Sequence, residues 1–180
     1  MAKVILNIGH GGITGDPGAI HYGVKEHQWN KDLVENYVVP KLKEEGIESA
    51  VVVQTIYKTL YQEINKVANK GDITLSFHLN SSEPHSNGTE MLYYEESKNS
   101  KRLASILQEK TVEALGLRNR GIKGKNLKDR GGSVLVRTST PCVILEPGFL
   151  SNEKDLESLN TNKDKYADAI VASVKEYLGV

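Results

Sequence analysis

Strand-like and helix-like segments alternate along this chain, and that alternation limits its fold more than any other feature. Lys3–Ile8 is a β-branched, apolar run of strand length, the pattern of a buried strand. After a Gly-rich loop, Glu26 to Glu45 sets Trp29, Leu33, Tyr37 and Leu42 on one helical stripe, with Pro40 as a kink or an end. Glu48–Gln54 reads as a second strand. Leu60, Ile64, Val67 and Ala68 mark a helix that stops at Gly71. Asp72–His78 and Thr89–Tyr94 read as strands, and the stretch carrying Leu103, Leu107 and Leu115 as a helix that stops at Gly116. Val134–Arg137 and Cys142–Glu146 are expected to be short strands, and Lys163 to Leu178 a terminal helix. The spacing predicts one α/β domain over residues 1–180, a twisted, mostly parallel or mixed sheet of about six strands flanked by about five helices.

Composition agrees with a single domain. At 180 residues, two full domains would be cramped. With 38% hydrophobic and 26% charged residues, the chain is not of the disordered class. No stretch approaches the roughly 20 apolar residues needed to span a bilayer. The first apolar run, Val4-Ile5-Leu6, is too short for a secretory signal and no small-residue cleavage site follows it. The expected route is therefore synthesis in the cytoplasm, or loss of a leader. The chain stops within its last helix, which leaves open a longer parent protein. A single cysteine, Cys142, excludes an intrachain disulfide framework. Flanked by Pro141 and Val143, it reads as a small buried hydrophobe.

Basic and acidic residues balance at 23 each, so no long-range field recommends a nucleic acid or a membrane surface as partner. The balance is uneven along the chain. Lys98 to Arg137 holds eleven basic and three acidic residues, a local +8 against −8 elsewhere. Arg118, Arg120, Lys123, Lys125, Lys128 and Arg130 crowd a Gly-rich stretch expected to be an exposed loop. No aromatic residues interleave with them to stack on bases, which argues against nucleic acid. A solvated loop and a surface attracted to an anionic polymer are the readings that stand.

In sheets of this class, ligands gather beyond the carboxyl ends of the strands. Three of the expected strands end in residues that ligate metals or move protons. The first runs into Gly9-His10-Gly11-Gly12, another ends in Ser76-Phe77-His78, and the last in Leu145-Glu146-Pro147-Gly148. Glu26 stands where the first long helix begins. Two imidazoles and one carboxylate describe an open catalytic zinc site. Such an ion lowers the pKa of water from about 15.7 toward roughly 7 and polarises a carbonyl. A second, unliganded carboxylate is then needed for proton transfer, and Glu146 is the natural candidate. The helical H-E-x-x-H pair of many metalloproteases is absent.

The ordered motifs carry a resemblance. Gly9-His10-Gly11-Gly12 with Asp16-Pro17-Gly18-Ala19, Gly23 and Glu26 opens the series; Ser76-Phe77-His78-Leu79-Asn80-Ser81 with Gly88-Thr89-Glu90 follows. Asn119-Arg120-Gly121-Ile122-Lys123 and the run from Leu145-Glu146-Pro147-Gly148 to Asn152 complete it. In these motifs the chain resembles the zinc-dependent N-acetylmuramoyl-L-alanine amidases of the third type, the catalytic domains of bacterial autolysins and phage endolysins. The resemblance implies one zinc ion per chain on His10, Glu26 and His78, with Glu146 as the catalytic carboxylate and Asn80 and Glu90 as candidates for substrate contact. It implies peptidoglycan as the partner, action on the cell wall after release, and hydrolysis of the amide between N-acetylmuramic acid and L-alanine. A C-terminal wall-binding domain in a longer parent protein would fit the same pattern. Two departures are visible: Val53-Gln54-Thr55-Ile56, where the family often has Thr-Arg, and an insertion-like Ile13-Thr14-Gly15 in the opening loop. Neither touches an expected ligand.

Competing readings attach to single residues. His27, beside Glu26, is a rival ligand, and Glu26 itself suits a first-turn helix carboxylate. Glu146 has a structural alternative as a buried partner of Arg137. His21 and His85 lie in polar loops and are expected to be solvated. For the whole chain, the alternatives are a zinc peptidase cutting within the stem peptide and a wall-binding module without turnover.

Overall fold

The computed structural model describes residues 2–11 and 15–180. Gly12 and the Ile13-Thr14 part of the insertion-like loop lie outside the described residues. Six strands form one sheet in the order β4-β1-β5-β8-β6-β7. These are β1 (Val4–Ile8), β4 (Ser49–Val53), β5 (Ile73–Phe77), β6 (Thr89–Tyr94), β7 (Asn119–Lys125) and β8 (Cys142–Glu146). β1, β4, β5 and β8 run parallel, while β6 is antiparallel to β8 and parallel to β7. A separate two-stranded ribbon joins β2 (Ile20–His21) to β3 (Val24–Lys25).

The central strands β1 and β5 are buried throughout because helices cover both faces, and their few polar residues, Asn7, Thr74 and Ser76, are buried with them. On one face, Val4, Leu6 and Ile8 of β1 pack with α1 (Glu26–Leu33), α4 (Lys98–Leu115), α6 (Glu153–Thr161) and α7 (Lys163–Leu178) through Trp29, Leu33, Leu103, Leu159 and Tyr166. On the other, Ile5, Cys142 and Ile144 meet α3 (Leu60–Val67) and α5 (Gly132–Arg137). Among the described residues no helix is long and apolar enough to cross a membrane.

Pro40 neither ends nor breaks the first long helix. α1 widens into a π-helical turn over Val34–Val38 and then continues as α2 (Val39–Glu44), with Pro40 in its first turn. The wider turn accommodates a residue that lacks an N–H and crowds the preceding carbonyl. Two expectations need correction. Val134–Arg137 lies in helix α5, not a strand; its three apolar residues fit either state by periodicity, and β8 already fills the place between β5 and β6. Residues 119–125 are the edge strand β7, not a loop. Counting α1 through α2 as one, the described residues hold six α-helices, the unexpected ones being α5 and α6.

Asp155 in α6 fastens the loops that carry the sheet's functional end. Its buried Oδ2 accepts hydrogen bonds from Gly88 N, just before β6, at 2.8 Å and from Phe149 N, just after β8, at 2.9 Å. Replacing Asp155 with Ala orphans two buried N–H groups, and the expected cost is about 2–4 kcal/mol. A lowered urea midpoint at unchanged slope measures it; a loss below ~0.5 kcal/mol would contradict this role.

Candidate active site

Register brings the chemical residues to one level. Ile8 of β1 pairs with Phe77 of β5, and Phe77 with Leu145 of β8. Gly9-His10, His78 and Glu146 therefore emerge side by side. β6 runs the opposite way, so its start sets Glu90 directly across from Glu146.

Glu26 arrives by a different route. The β2–β3 ribbon turns at Tyr22 and Gly23, with φ of 50° and 76°; two residues at positive φ are what a type I′ hairpin turn requires. The ribbon leads straight into α1, whose first residue is Glu26, 3% exposed. Its Oε2 accepts from Ala19 N and its Oε1 from Leu79 N, each at 3.0 Å. His10 Nε2 stands 3.3 Å from Oε2, and His78 Nδ1 3.2 Å from Oε1. Burial would raise the Glu26 pKa, but hydrogen bonds from both imidazoles outweigh it and hold the carboxyl far below the usual range. The same hydrogen bond, against burial and with help from Asp16, pushes His10 up to about 9.

One donor atom from each of His10, Glu26 and His78 lies within 4.8 Å of the others. Ligands about 2.0–2.1 Å from a tetrahedral ion stand roughly 3.3 Å apart, and each imidazole stands at about that separation from one of the two Glu26 oxygens. The imidazole and carboxylate donors also suit such an ion. The cluster is braced from outside: Asp16 Oδ2 lies 2.8 Å from His10 Nδ1, an outer carboxylate that fixes the orientation of the ring. Side-chain-free positions let the rings approach. A Cβ on Gly9 would lie 2.3 Å from the His78 ring, and one on Gly18 2.7 Å from Glu26 Oε2. His27 faces elsewhere: its Nδ1 is 2.8 Å from Gly9 O, tying α1 to the His10 loop.

Glu146 differs from Glu26 in one decisive respect. Its Oε2 is buried with no hydrogen-bond partner. Burial first, then repulsion from Glu26 and Glu90, raises its pKa to about 8, against the attraction of Arg130 and His10. The alternative partner, Arg137, instead lies against Tyr61 on the surface, its guanidinium 5.4 Å from the ring centre. Glu90 is anchored, with Oε1 accepting from Asn80 Nδ2 at 2.9 Å and Oε2 from Arg120 Nε at 2.8 Å.

These groups line a cleft of about 370 Å³ that contains His10, His78, Asn80, Glu90 and Glu146. It also contains Asp16, Gln54, Tyr57, Lys125 and Arg130, none of which the sequence singled out as site residues. Asp16 had a signal in its place within the opening motif. Gln54 and Tyr57 had none, since β4 meets the site only through the fold. His21 Nε2 lies 3.0 Å from Ser81 Oγ, so it is half-buried and bonded instead of solvated, while His85 is exposed as expected. Cys142 is buried, and burial pushes its thiol up to about 12, which suits a packing residue.

The fold is shared with solved bacterial amidase domains. Residues 4–176 match the family Amidase_3, N-acetylmuramoyl-L-alanine amidase, and the chain belongs to it. The CwlV catalytic domain of Bacillus (Paenibacillus) polymyxa var. colistinus, an N-acetylmuramoyl-L-alanine amidase, superposes with a TM-score of 0.82 at 28% identity, covering 100% of this chain and 99% of that one. The N-acetylmuramoyl-L-alanine amidase of Clostridium difficile 630 gives 0.83 at 26%, over 99% and 97%. In sequence, the uncharacterized YqiI of Bacillus subtilis strain 168 is 35% identical over 97% of this chain and 84% of its own length. The amidase LytC of the same strain is 33% identical over 93% of this chain, which spans only 34% of LytC.

The isolated Glu146 carboxyl has a measurable consequence in metal-free protein. With its pKa raised from 4.5 to about 8, the folded state keeps a proton that the unfolded chain has released between those values. Stability therefore falls as pH rises through this window, and Glu146→Gln removes that loss. The variant's stability relative to the native protein should rise from pH 5 to pH 8 by on the order of 1 kcal/mol or more. Denaturant melts across the range measure this, and a constant difference would contradict it.

Proposed function

We propose that this protein is a zinc-dependent peptidoglycan hydrolase that cleaves the amide between the lactyl group of N-acetylmuramic acid and the L-alanine of the stem peptide, residues 1–180 acting as one catalytic domain. The observation that carries this reading is the unpartnered Glu146 Oε2 on the same cleft as three converging donors. Family membership supports the bond cleaved. His10, Glu26 and His78 would hold one zinc ion, which when bound polarises the scissile carbonyl and acidifies water.

The rest of the chemistry belongs to the chain. Glu146 takes a proton from the attacking water and delivers it to the alanine nitrogen as the C–N bond breaks. Burial without a hydrogen-bond donor raises its proton affinity, which suits a group that accepts and then gives. Asp16 holds the His10 ring so that Nε2 faces the cluster. The backbone donors of Ala19 and Leu79 keep the Glu26 carboxylate in place when the imidazoles turn to a metal. Asn80 and Glu90 are assigned to substrate contact, held by each other and by Arg120. In the cell this activity would open the wall, as an autolysin or endolysin does.

Two interventions test the reading on purified walls. Chelation should abolish release of stem peptides with new N-terminal alanine, with zinc restoring it, and Glu146→Gln should lower the rate about 10²- to 10⁴-fold. Undiminished activity without metal would contradict the mechanism. Mass analysis should find muramic acid free of alanine; alanine still attached would instead indicate a peptidase.

A further inference from the structure

Two cations in the cleft have no binding role in the chemistry above. Lys125, which ends β7, and Arg130 both line it. Among the described residues neither side chain enters an ion pair, whereas Arg120 is committed to Glu90. The loop that carries Arg130 is built onto the cleft floor. Asn126 N donates to Asp129 Oδ2 at 2.8 Å, Lys128 N to Asn126 Oδ1 at 3.0 Å, and Gly132 N to Asp129 O at 3.0 Å. Gly131 has φ of 83°, and a Cβ there would stand 2.8 Å from Ile144 Cδ1. At Gly132 a Cβ would stand 1.9 Å from Asn126 O. The loop thus lies flush against Ile144.

Ile144 and Glu146 are two residues apart on β8, so they share a face at a spacing of about 7 Å. Leu92 pairs with Ile144 and Glu90 with Glu146, while Lys125 pairs with Tyr94 beyond them. The cleft therefore has an axis along β6 and β8. The donors and the Glu146 carboxyl occupy one end, an apolar step at Leu92 and Ile144 follows, Lys125 joins from the strand beyond it, and Arg130 borders the same cleft close enough to Glu146 to attract its charge.

We propose that Lys125 and Arg130 form a carboxylate subsite for the leaving side of the substrate, reading the second residue of the stem peptide. This rests on the amidase reading. Two residues of extended chain span about 7 Å, which carries the second stem residue from Glu146 to the level of Ile144, where the Lys125 and Arg130 side chains border the same cleft. A γ-linked glutamate after alanine leaves its α-carboxylate free at that distance, and an α-amidated residue does not. Arg118, Lys123 and Lys128 are exposed outside the cleft and cannot make this distinction.

The test uses N-acetylmuramoyl-L-alanyl-D-γ-glutamyl-L-lysine and its glutamate α-amide, with the zinc-loaded protein and its Lys125→Gln and Arg130→Gln variants. Native protein should favour the carboxylate about 10- to 100-fold in kcat/KM, as a charge-assisted pair would give. Each substitution should pull that ratio toward one, and Arg130→Glu should invert it. Affinities for the same pair on the uncut Glu146→Gln background should show the same ordering. A native ratio near one, or a ratio unmoved by the substitutions, overturns the subsite while leaving the amidase reading intact. Cleavage of neither compound, nor of walls, overturns both. If the variants lose activity only on walls bearing phosphate polymers, the cations serve phosphate and the proposal fails.

Discussion

The structure turns on one buried carboxylate. Glu26 sits in the interior as an ion, and burying an ion is costly unless every oxygen is met. Two backbone N–H groups and two imidazoles meet it, drawn from the loop before β2, the exit of β5 and the exit of β1. One side chain thereby ties together segments that are far apart in sequence, and the group that solves the burial problem is also the centre of a metal-binding geometry. Removing it would leave the two imidazoles, edge to face with ring centres 5.3 Å apart, without the carboxylate they share.

Against that satisfied carboxylate stands an unsatisfied one. Glu146 shares the strand level of His78 yet finds no donor for Oε2. The contrast separates two roles for the same residue type. An ion with a full set of donors holds position, whereas a carboxyl without them keeps its affinity for a proton. Such divergence between neighbouring titratable groups is how one fold can provide both a ligand and an acid–base, the roles proposed for Glu26 and Glu146. The parallel register of β1, β5 and β8 makes it possible, since it places the strand ends side by side without any side chain having to reach.

Much of this was legible in the sequence. The buried strands β1, β5 and β8 are largely apolar runs, so their ends, and with them His10, His78 and Glu146, could be located directly. Glu26 was legible as a helix start. What periodicity could not see was governed by tertiary context. The three apolar side chains of α5 fit a strand equally well until Gly131 and Gly132 let the chain turn tightly against Asn126 and Ile144. β7 alternates poorly because it is an edge strand rich in lysine and glycine, a composition that protects an edge but hides it. His27 looked like a rival ligand because adjacency in sequence says nothing about which way a helix turns its residues. The summed charge concealed that two of the cations at 118–130 face a cleft while others face solvent.

The most direct test of the central claim is X-ray absorption at the zinc edge, with metal content, on the purified protein. The account predicts one zinc per chain in a shell of nitrogen and oxygen only, with two imidazoles, at about 2.0–2.1 Å, and loss of stoichiometric zinc in Glu26→Ala and His78→Ala. Zinc that binds with sulfur in its shell, or that stays at full occupancy in both variants, would contradict it.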